Sequence, residues 1–391
     1  MSAVEQTPAA RPHIDQSVEF LARERATLRS YTPDLGDFLD TADLMEVEKP
    51  GGGEAIQAFA RSDAPALLAP QDRDGLGATA LDAALIQRAI GSRAPSLAVA
   101  STMHHFSMGS LVAWCMDGGD LQWMLLEGIA RKRMVLASGF AEGKTGQSIL
   151  TSTLTAVPNE NGYLLNGAKK PCSLTWSMDM LTASVTIEHP DGTKENAMVG
   201  VPADAPGIER EPFWGSNILA GAESDAVILR DVQVPSQLVF PQTSDPHRRQ
   251  ERRGFLWFEL LIAASYVGIA SGLVERLLKS SKGSPAVRTQ AAIELETAMC
   301  ALECIARLME EEPPTDALLK RAMLARYGVQ QAIARSATIA LEALGGVAFI
   351  SSPEIAYMHA ACQALHFHPP SLASTVEPLA GALVGEETEL T

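Results

Sequence analysis

Apolar residues recur three and four positions apart along the first third of the chain, which is the spacing of an α-helix. Residues 80–90 (ALDAALIQRAI) show this spacing, whereas residues 1–14 show none. The pattern predicts a flexible tail over residues 1–14 and an N-terminal helical domain over residues 15–133.

The pattern changes after residue 133 to short runs rich in Thr, Val and Leu that are separated by turn residues. Asn-Glu-Asn-Gly at residues 159–162 and Pro-Asp-Gly at residues 190–192 each separate two such runs, as in β-hairpins. Residues 225–235 (DAVILRDVQVP) alternate as a further strand. We therefore predict a central β domain, a barrel or a sandwich, over residues 134–241.

Helical spacing returns after the polar stretch at residues 242–253 and predicts a C-terminal four-helix bundle over residues 242–391. Prolines stop the second helix, and a pair of glycines ends the third as a C-cap would. The four helices begin with FLWFELL, RTQAAIE, TDALLKR and PEIAYMH. The predicted fold class is α+β, with the domain order α, then β, then α.

Composition narrows the function classes. The 391 residues are 46% hydrophobic and carry a net charge of −16, which disfavours nucleic acids and anionic membranes as partners. The N-terminus has no apolar signal core. The sequence contains no run of about 18 apolar residues, so no membrane span is predicted. Five cysteines without a C-x-x-C pair fit neither a disulfide scaffold nor a zinc site. These features predict a cytoplasmic location.

Several familiar catalytic motifs do not occur in the sequence. There is no G-x-G-x-x-G, no P-loop, no H-E-x-x-H and no G-x-S-x-G. The absence of these motifs disfavours nicotinamide-dependent, ATP-dependent and ordinary hydrolase functions. No metal site is predicted.

The residues alone leave the roles of a few polar side chains open. His104 and His105 lie in an apolar helical stretch, where the residues alone favour a helix cap or a satisfied core histidine. His368 precedes two prolines at a helix end, and Ser173 follows a predicted strand. His368 could be an ordinary helix-terminus residue, or a proton donor or acceptor at a pocket, whereas the residues alone favour an ordinary loop hydroxyl for Ser173.

The order of domains and five local motifs resemble the acyl-CoA dehydrogenase superfamily. The motifs match that family's glycine loop, flavin-contact strand, strand end, first C-terminal helix and Leu-Gly-Gly helix end. They are DGLG at residues 74–77, NGYLLNGAKK at 161–170, LRDVQVP at 229–235, VGIASGLVERLL at 267–278 and LEALGG at 341–346.

The sequence departs from the dehydrogenase pattern at the catalytic base and at two arginine motifs. His368 stands where that family usually has its glutamate, and Phe258 stands at the alternative base position. Glu259 is one residue away, and one residue turns a helix by about 100°. The arginine motifs of the family are missing at residues 214–217 and 279–283. A dehydrogenase would have to use Glu259 or His368 as its base.

Two of the departures resemble the flavin-dependent monooxygenase branch of the same fold, which includes dibenzothiophene monooxygenases and amino-sugar N-oxygenases. That branch carries Lys-x-Phe-Cys-Ser, similar to residues 169–173 here, and a histidine at the end of its last helix, similar to His368. The resemblance implies that a reduced flavin reacts with O2 to give a C4a-(hydro)peroxide. It implies Ser173 and His368 as catalytic residues, with His105, or His104, as a further pocket residue.

The resemblance also implies the cofactor and the partners. The flavin is FAD or FMN, supplied in reduced form by a separate reductase, and the substrate is a small organic molecule. A homotetramer, or dimer of dimers, is typical of the family. Trp176, Phe258 and Phe367 are candidates to line the pocket. The implied cofactor-binding residues are Gly146, Cys172, Ser173, Thr175, Trp176, Gly345 and Gly346.

Two alternatives remain open from the sequence. The first is an FAD-dependent dehydrogenase of acyl-CoA or acyl-carrier-protein thioesters, favoured by the general match to the superfamily. The second is a non-catalytic homologue that has lost its flavin, favoured by the weakened flavin motifs.

Overall fold

A computed structural model describes residues 19–51, 53–117, 120–142, 152–241 and 245–386. Its helices are α1 (Ala22–Tyr31), α2 (Pro33–Thr41), α3 (Leu44–Val47), α4 (Gly53–Arg61), α5 (Ala80–Gly91), α6 (Pro95–Asp117), α7 (Asp120–Arg131), α8 (Asp245–Lys279), α9 (Pro285–Glu311), α10 (Asp316–Ser351), α11 (Pro353–Cys362) and α12 (Leu372–Leu383). Its strands are β1 (Leu136–Gly139), β2 (Thr155–Asn159), β3 (Gly162–Cys172), β4 (Met180–Glu188), β5 (Lys194–Pro202), β6 (Ile208–Glu211), β7 (Asp225–Val234) and β8 (Val239–Pro241).

Helix α8 is the central helix of the fold. It packs against α5 and α6 of the N-terminal part and against α9, α10 and α11 of the C-terminal part. Glycines allow α5 and α8 to approach backbone to backbone, because a Cβ on Gly91 would lie 2.3 Å from the Ser265 carbonyl oxygen. A Cβ on Gly268 would likewise lie 2.4 Å from the Arg88 carbonyl oxygen. The two helical parts therefore share one core.

The eight strands form one sheet in the order β6-β7-β3-β2-β4-β5-β8, with β1 added parallel to β4. Both predicted hairpins are confirmed. Asn159 pairs with Gly162 across the β2–β3 turn, and Glu188 pairs with Lys194 across the β4–β5 turn. Strand β1 of the sheet packs against α6.

The C-terminal helices follow the predicted order with three differences. Helix α8 begins at Asp245, inside the stretch expected to be polar loop, since Glu and Arg are good helix formers. Gly345 has a φ of 80° and breaks α10 at the predicted end, but helix continues beyond it to Ser351. Helix α12 was not predicted.

Within the described residues, two helices are long and apolar enough to cross a membrane by length and composition alone. The most apolar window of the stretch Glu251–Lys279 is 94% buried inside the protein, so α8 is a core helix. The corresponding window of α10, Asp316–Ser351, is only 28% buried. Helix α10 thus presents an apolar surface that the single chain does not cover.

Candidate active site

A cavity, here called the central cavity, lies where the three parts of the fold meet. It is bounded by α6 and the end of β1, by the segments after β3 and before β7, and by α8 with the turn before α12. The cavity has a volume of about 110 Å³ and opens partly to solvent. Its lining residues are Val99, Met103, Phe106, Ser138, Phe140, Ala141, Pro171, Ser173, Trp214, Leu219, Ser224, Phe255, Phe258, His368 and Pro369.

Ser173 lies in the central cavity, directly after β3. Its hydroxyl is 2.9 Å from the hydroxyl of Ser224, and both side chains are buried. The backbone beside it is held in place, because Leu174, with a φ of 65°, donates its N–H to the Ala222 carbonyl oxygen at 3.0 Å. The segment therefore presents a pair of fixed hydroxyl groups to the cavity.

His368 reaches the central cavity from the turn before α12. Its Nε2 is 2.9 Å from the hydroxyl of Tyr266, a buried residue of α8. Burial, and to a smaller extent the nearby Arg326 guanidinium, lowers the pKa of His368 to about 3. The imidazole is consequently neutral near pH 7 and serves as a hydrogen-bonding group rather than as an acid.

A buried ion pair lies behind the His368 turn. Arg326 of α10 and Glu259 of α8 are each 1% exposed and approach to 3.1 Å. Arg326 also donates to the carbonyl oxygens of His368 at 2.8 Å and Pro370 at 3.0 Å. Burial raises the pKa of Glu259 to about 7, although Arg326 opposes this shift. Glu259 does not line the central cavity. Its carboxylate faces Arg326, so it does not lie where a dehydrogenase base would act.

Three predicted cofactor-binding residues beside Ser173 do not line the central cavity. Cys172 is fully buried, and its carbonyl oxygen accepts a hydrogen bond from the Thr175 hydroxyl at 2.6 Å. Trp176 is half exposed, and its indole N–H donates to the Asp225 carboxylate at 2.8 Å. Their part in flavin binding stays a prediction.

The two adjacent histidines of α6 are both fully buried outside the central cavity. His104 joins two segments, because its Nε2 bonds the Pro65 carbonyl oxygen at 2.8 Å and its Nδ1 accepts the Leu136 N–H at 3.0 Å. His105 packs edge-on against the Phe59 ring, and neither of its ring nitrogens has a hydrogen-bond partner in the described part of the chain. His105 does not line the central cavity. Its catalytic role stays a prediction.

The remaining predicted residues lie in varied places. Phe258 lines the central cavity, whereas Phe367 is 82% exposed. Gly345 and Gly346 lie at the break in α10 and are not part of the cavity lining. Gly146 lies outside the described residues.

Sequence reasoning missed three residues that shape the site, namely Ser224, Tyr266 and Arg326. Ser224 precedes a strand without any motif, and Arg326 lies among alanines and leucines of a long helix. A weak signal exists for Tyr266, since it is a lone phenol in the apolar run LLIAASYVGIA of a core helix. A buried tyrosine usually finds a partner for its hydroxyl.

The central cavity fits the ring system of a flavin. Its walls are aromatic and aliphatic, which suits a planar heteroaromatic ring. Among the described residues, its polar groups include the hydroxyls of Ser138, Ser173 and Ser224 and the neutral imidazole of His368, which can bond ring nitrogens and carbonyl oxygens.

Comparison with known proteins gives one relative that matches nearly the whole chain. The sequence is 40% identical over 372 residues to isobutylamine N-hydroxylase of Streptomyces viridifaciens, covering 94% of this chain and 98% of that protein. No protein-family model matches the sequence.

Solved structures agree in fold at lower sequence identity. The dibenzothiophene monooxygenase of Paenibacillus sp. A11-2, in complex with FMN and indole, superposes with a TM-score of 0.79 at 18% identity, over 94% of this chain and 98% of that chain. The methanesulfinate monooxygenase of Pseudomonas fluorescens gives a TM-score of 0.77 at 18% identity, with the same coverage of both chains.

Fold, cavity and relatives together define a flavin-dependent oxidoreductase with the acyl-CoA dehydrogenase-like fold. Within that fold, the chain belongs to the flavin-dependent monooxygenase family of isobutylamine N-hydroxylase. It is an enzyme, and its cofactor is a flavin. The predicted fold class and the predicted monooxygenase function are confirmed.

Proposed function

We propose that this enzyme hydroxylates the nitrogen of a small primary aliphatic amine. The relative isobutylamine N-hydroxylase, whose name states such an activity, matches 94% of this chain. The observation that carries the proposal is the lining of the central cavity, which in the described part of the chain is mostly apolar and includes three serine hydroxyls and one imidazole. A short alkyl chain would fill such a cavity, and its amino group would meet the few polar groups.

The residues that would hold the flavin ring are Ser173 and His368. When bound, the reduced flavin supplies two electrons to O2, so that one oxygen atom passes to the amine and the other leaves as water. The paired hydroxyls of Ser173 and Ser224 provide a fixed polar edge. His368 donates or accepts a hydrogen bond without adding charge, and the aromatic walls exclude water from the reacting groups.

The cavity would bind the amine in its neutral form. Nitrogen needs its lone pair to take up oxygen, and an ammonium ion has none. None of the cavity-lining residues in the described part of the chain is a carboxylate that could pair with an ammonium ion. Transfer of an unpaired charge into an apolar cavity is costly, so the cavity favours the uncharged amine.

We expect hydroxylamine formation from isobutylamine, with kcat/KM rising about tenfold per pH unit below the pKa of the amine, near ~10 for an alkylamine. The assay supplies reduced FMN or FAD from an unrelated reductase and measures the hydroxylamine by mass spectrometry between pH 6.5 and 9. Isobutyl methyl sulfide tests sulfur oxygenation, and a reaction without substrate measures hydrogen peroxide release. Peroxide without hydroxylamine, or oxygenation of the sulfide alone, would overturn the proposal.

A separate reductase would supply the flavin. The sequence has no G-x-G-x-x-G dinucleotide motif, and we place the reaction in the cytoplasm, where reduced nicotinamide is available. The purified protein given NADH and oxidised flavin should therefore consume no NADH until a reductase is added. Direct NADH consumption would contradict a separate reductase.

We also propose that the enzyme is a homotetramer. The second half of α10 exposes Val347, Phe349 and Ile350 to solvent in the single chain, and a second copy is the occupant that fits this apolar face. Light scattering should give about four times the chain mass of 41.6 kDa. Ile350→Glu should reduce this mass, and a monomeric wild-type protein would refute the proposal.

A further inference from the structure

The hydroxyl of Tyr266 is aimed at one nitrogen of the catalytic candidate His368. We propose that Tyr266 is a positioning residue that fixes the tautomer of His368, so that Nε2 accepts a hydrogen bond from the tyrosine hydroxyl and Nδ1 carries the ring hydrogen. Tyr266 does not itself line the cavity. It acts through His368, and this part of the argument rests on the proposed function.

Burial of Tyr266 decides which group donates. The side chain is fully buried on α8, and the only hydrogen-bond partner of its hydroxyl within the described ranges is Nε2 of His368, at 2.9 Å. If Nε2 donated instead, the phenol proton would be left buried without an acceptor. An unpaired buried donor costs more than an unused lone pair on oxygen. The tyrosine is therefore the donor, and Nε2 is the acceptor.

Burial also keeps Tyr266 in its protonated form. Burial raises the pKa of the Tyr266 phenol well above its ordinary value. The phenol therefore keeps its proton near neutral pH, and it can donate the hydrogen bond to Nε2 there.

The surroundings of the imidazole hold the ring in place. Arg326 of α10 binds the His368 carbonyl oxygen at 2.8 Å, and Glu259 of α8 binds Arg326 from behind. The Phe258 ring packs 6.5 Å from the imidazole, centroid to centroid. Arg326 is the cation that faces the ring, and its charge disfavours imidazolium. The ring is thus fixed as a neutral species with Nε2 occupied.

The consequence is a defined donor in the cavity. With Nε2 engaged, Nδ1 is the ring nitrogen that remains for a group in the central cavity, and in this tautomer it donates. A neutral N–H group can donate a hydrogen bond to an oxygen that develops negative charge. It does not transfer its proton to that oxygen. The other tautomer would present a lone pair instead, which repels such an oxygen.

The test is long-range ¹H–¹⁵N correlation NMR of flavin-free protein labelled with ¹⁵N-histidine. His368→Gln assigns the His368 signals among the eight histidines. We expect the wild-type spectrum to show hydrogen on Nδ1 and a bare Nε2 with no titration between pH 5 and 9, and Tyr266→Phe to show a mixture of both tautomers. Hydrogen on Nε2 in the wild type, or an unchanged spectrum in Tyr266→Phe, would overturn the proposal.

Tyr327→Phe is the matched control. Tyr327 also touches this turn, but its hydroxyl bonds the Pro370 carbonyl oxygen at 3.0 Å and the Thr375 hydroxyl rather than the imidazole. We expect its tautomer spectrum to equal that of the wild type, and a change as large as in Tyr266→Phe would refute a specific role for Tyr266. Because the measurement needs neither flavin nor amine, failure of the proposed amine hydroxylation would not affect its outcome.

Discussion

Replacement of His368 or Ser173 by alanine is expected to lower the yield of oxygenated product by about 10²–10³-fold, the usual effect of removing one fixed hydrogen-bond donor at a reacting oxygen. Both side chains line the central cavity, and each is held by a neighbouring hydroxyl, at 2.9 Å in both cases. Oxygen consumption should continue, since electron transfer from reduced flavin to O2 needs neither group. Product and hydrogen peroxide are measured together, and a separate titration of each variant with flavin distinguishes lost coupling from lost flavin binding.

His366→Ala is the control for this prediction. His366 is exposed two positions before His368 in the same turn, and its Nδ1 is 2.8 Å from the Gln330 amide nitrogen, outside the central cavity. We expect its product yield to stay within a factor of about two of the wild-type value. A His368→Ala enzyme that retains full coupling would remove His368 from the chemistry.

The architecture was accessible from the sequence because each element has a strong local signal. Asn159 and Gly162 mark one hairpin, the glycine having a φ of 123° that other residues rarely adopt. The change from helical to alternating spacing near residue 134 marks the start of the sheet. Such signals depend on neighbours in the chain and need no tertiary information.

The site was only partly accessible because its contacts are distant in the chain. Ser173 and His368 could be named from local resemblance, but the hydrogen bond between Tyr266 and His368 joins residues 102 positions apart. The sequence leaves Glu259 open as a base, and only packing shows that its carboxylate faces Arg326 of another helix. Tertiary partners of this kind leave no periodic trace in the sequence.

His105 shows that sequence spacing can identify a helix without identifying the face on which a side chain lies. The resemblance implies a pocket residue on an early helix, and His105 does lie on α6, the helix that contributes Met103 and Phe106 to the central cavity. Adjacent residues of a helix point about 100° apart, so a shift of one or two positions moves a side chain from the cavity to the core. Sequence spacing identifies the helix more reliably than the face.

Replacement of Arg326 by methionine is expected to lower the free energy of unfolding by about 3–5 kcal/mol, as when one partner of a buried ion pair is removed. The change leaves Glu259 buried without its cation and takes the donor from the His368 and Pro370 carbonyl oxygens. The turn that carries His368 should loosen, so kcat should fall as well. Urea denaturation followed by circular dichroism measures the first effect.

Arg335→Met is the matched control on the same helix. Arg335 is half exposed and pairs with Glu294 at the surface, at 2.8 Å, so its loss should cost no more than about 1 kcal/mol. If Arg326→Met were as mild as Arg335→Met, the ion pair would not be holding the turn.

The pH dependence of stability provides a second test of the same ion pair. Because the pKa of Glu259 is raised from 4.5 to about 7 in the folded protein, the folded state binds more protons than the unfolded state between these values. The free energy of unfolding therefore falls as pH rises through this window. Glu259→Gln should remove this contribution, while Arg326→Met should enlarge it, because an unpaired buried carboxylate resists ionisation further. Equal pH slopes in the wild type and Glu259→Gln would show that Glu259 is ionised throughout, with Arg326 fully compensating its burial.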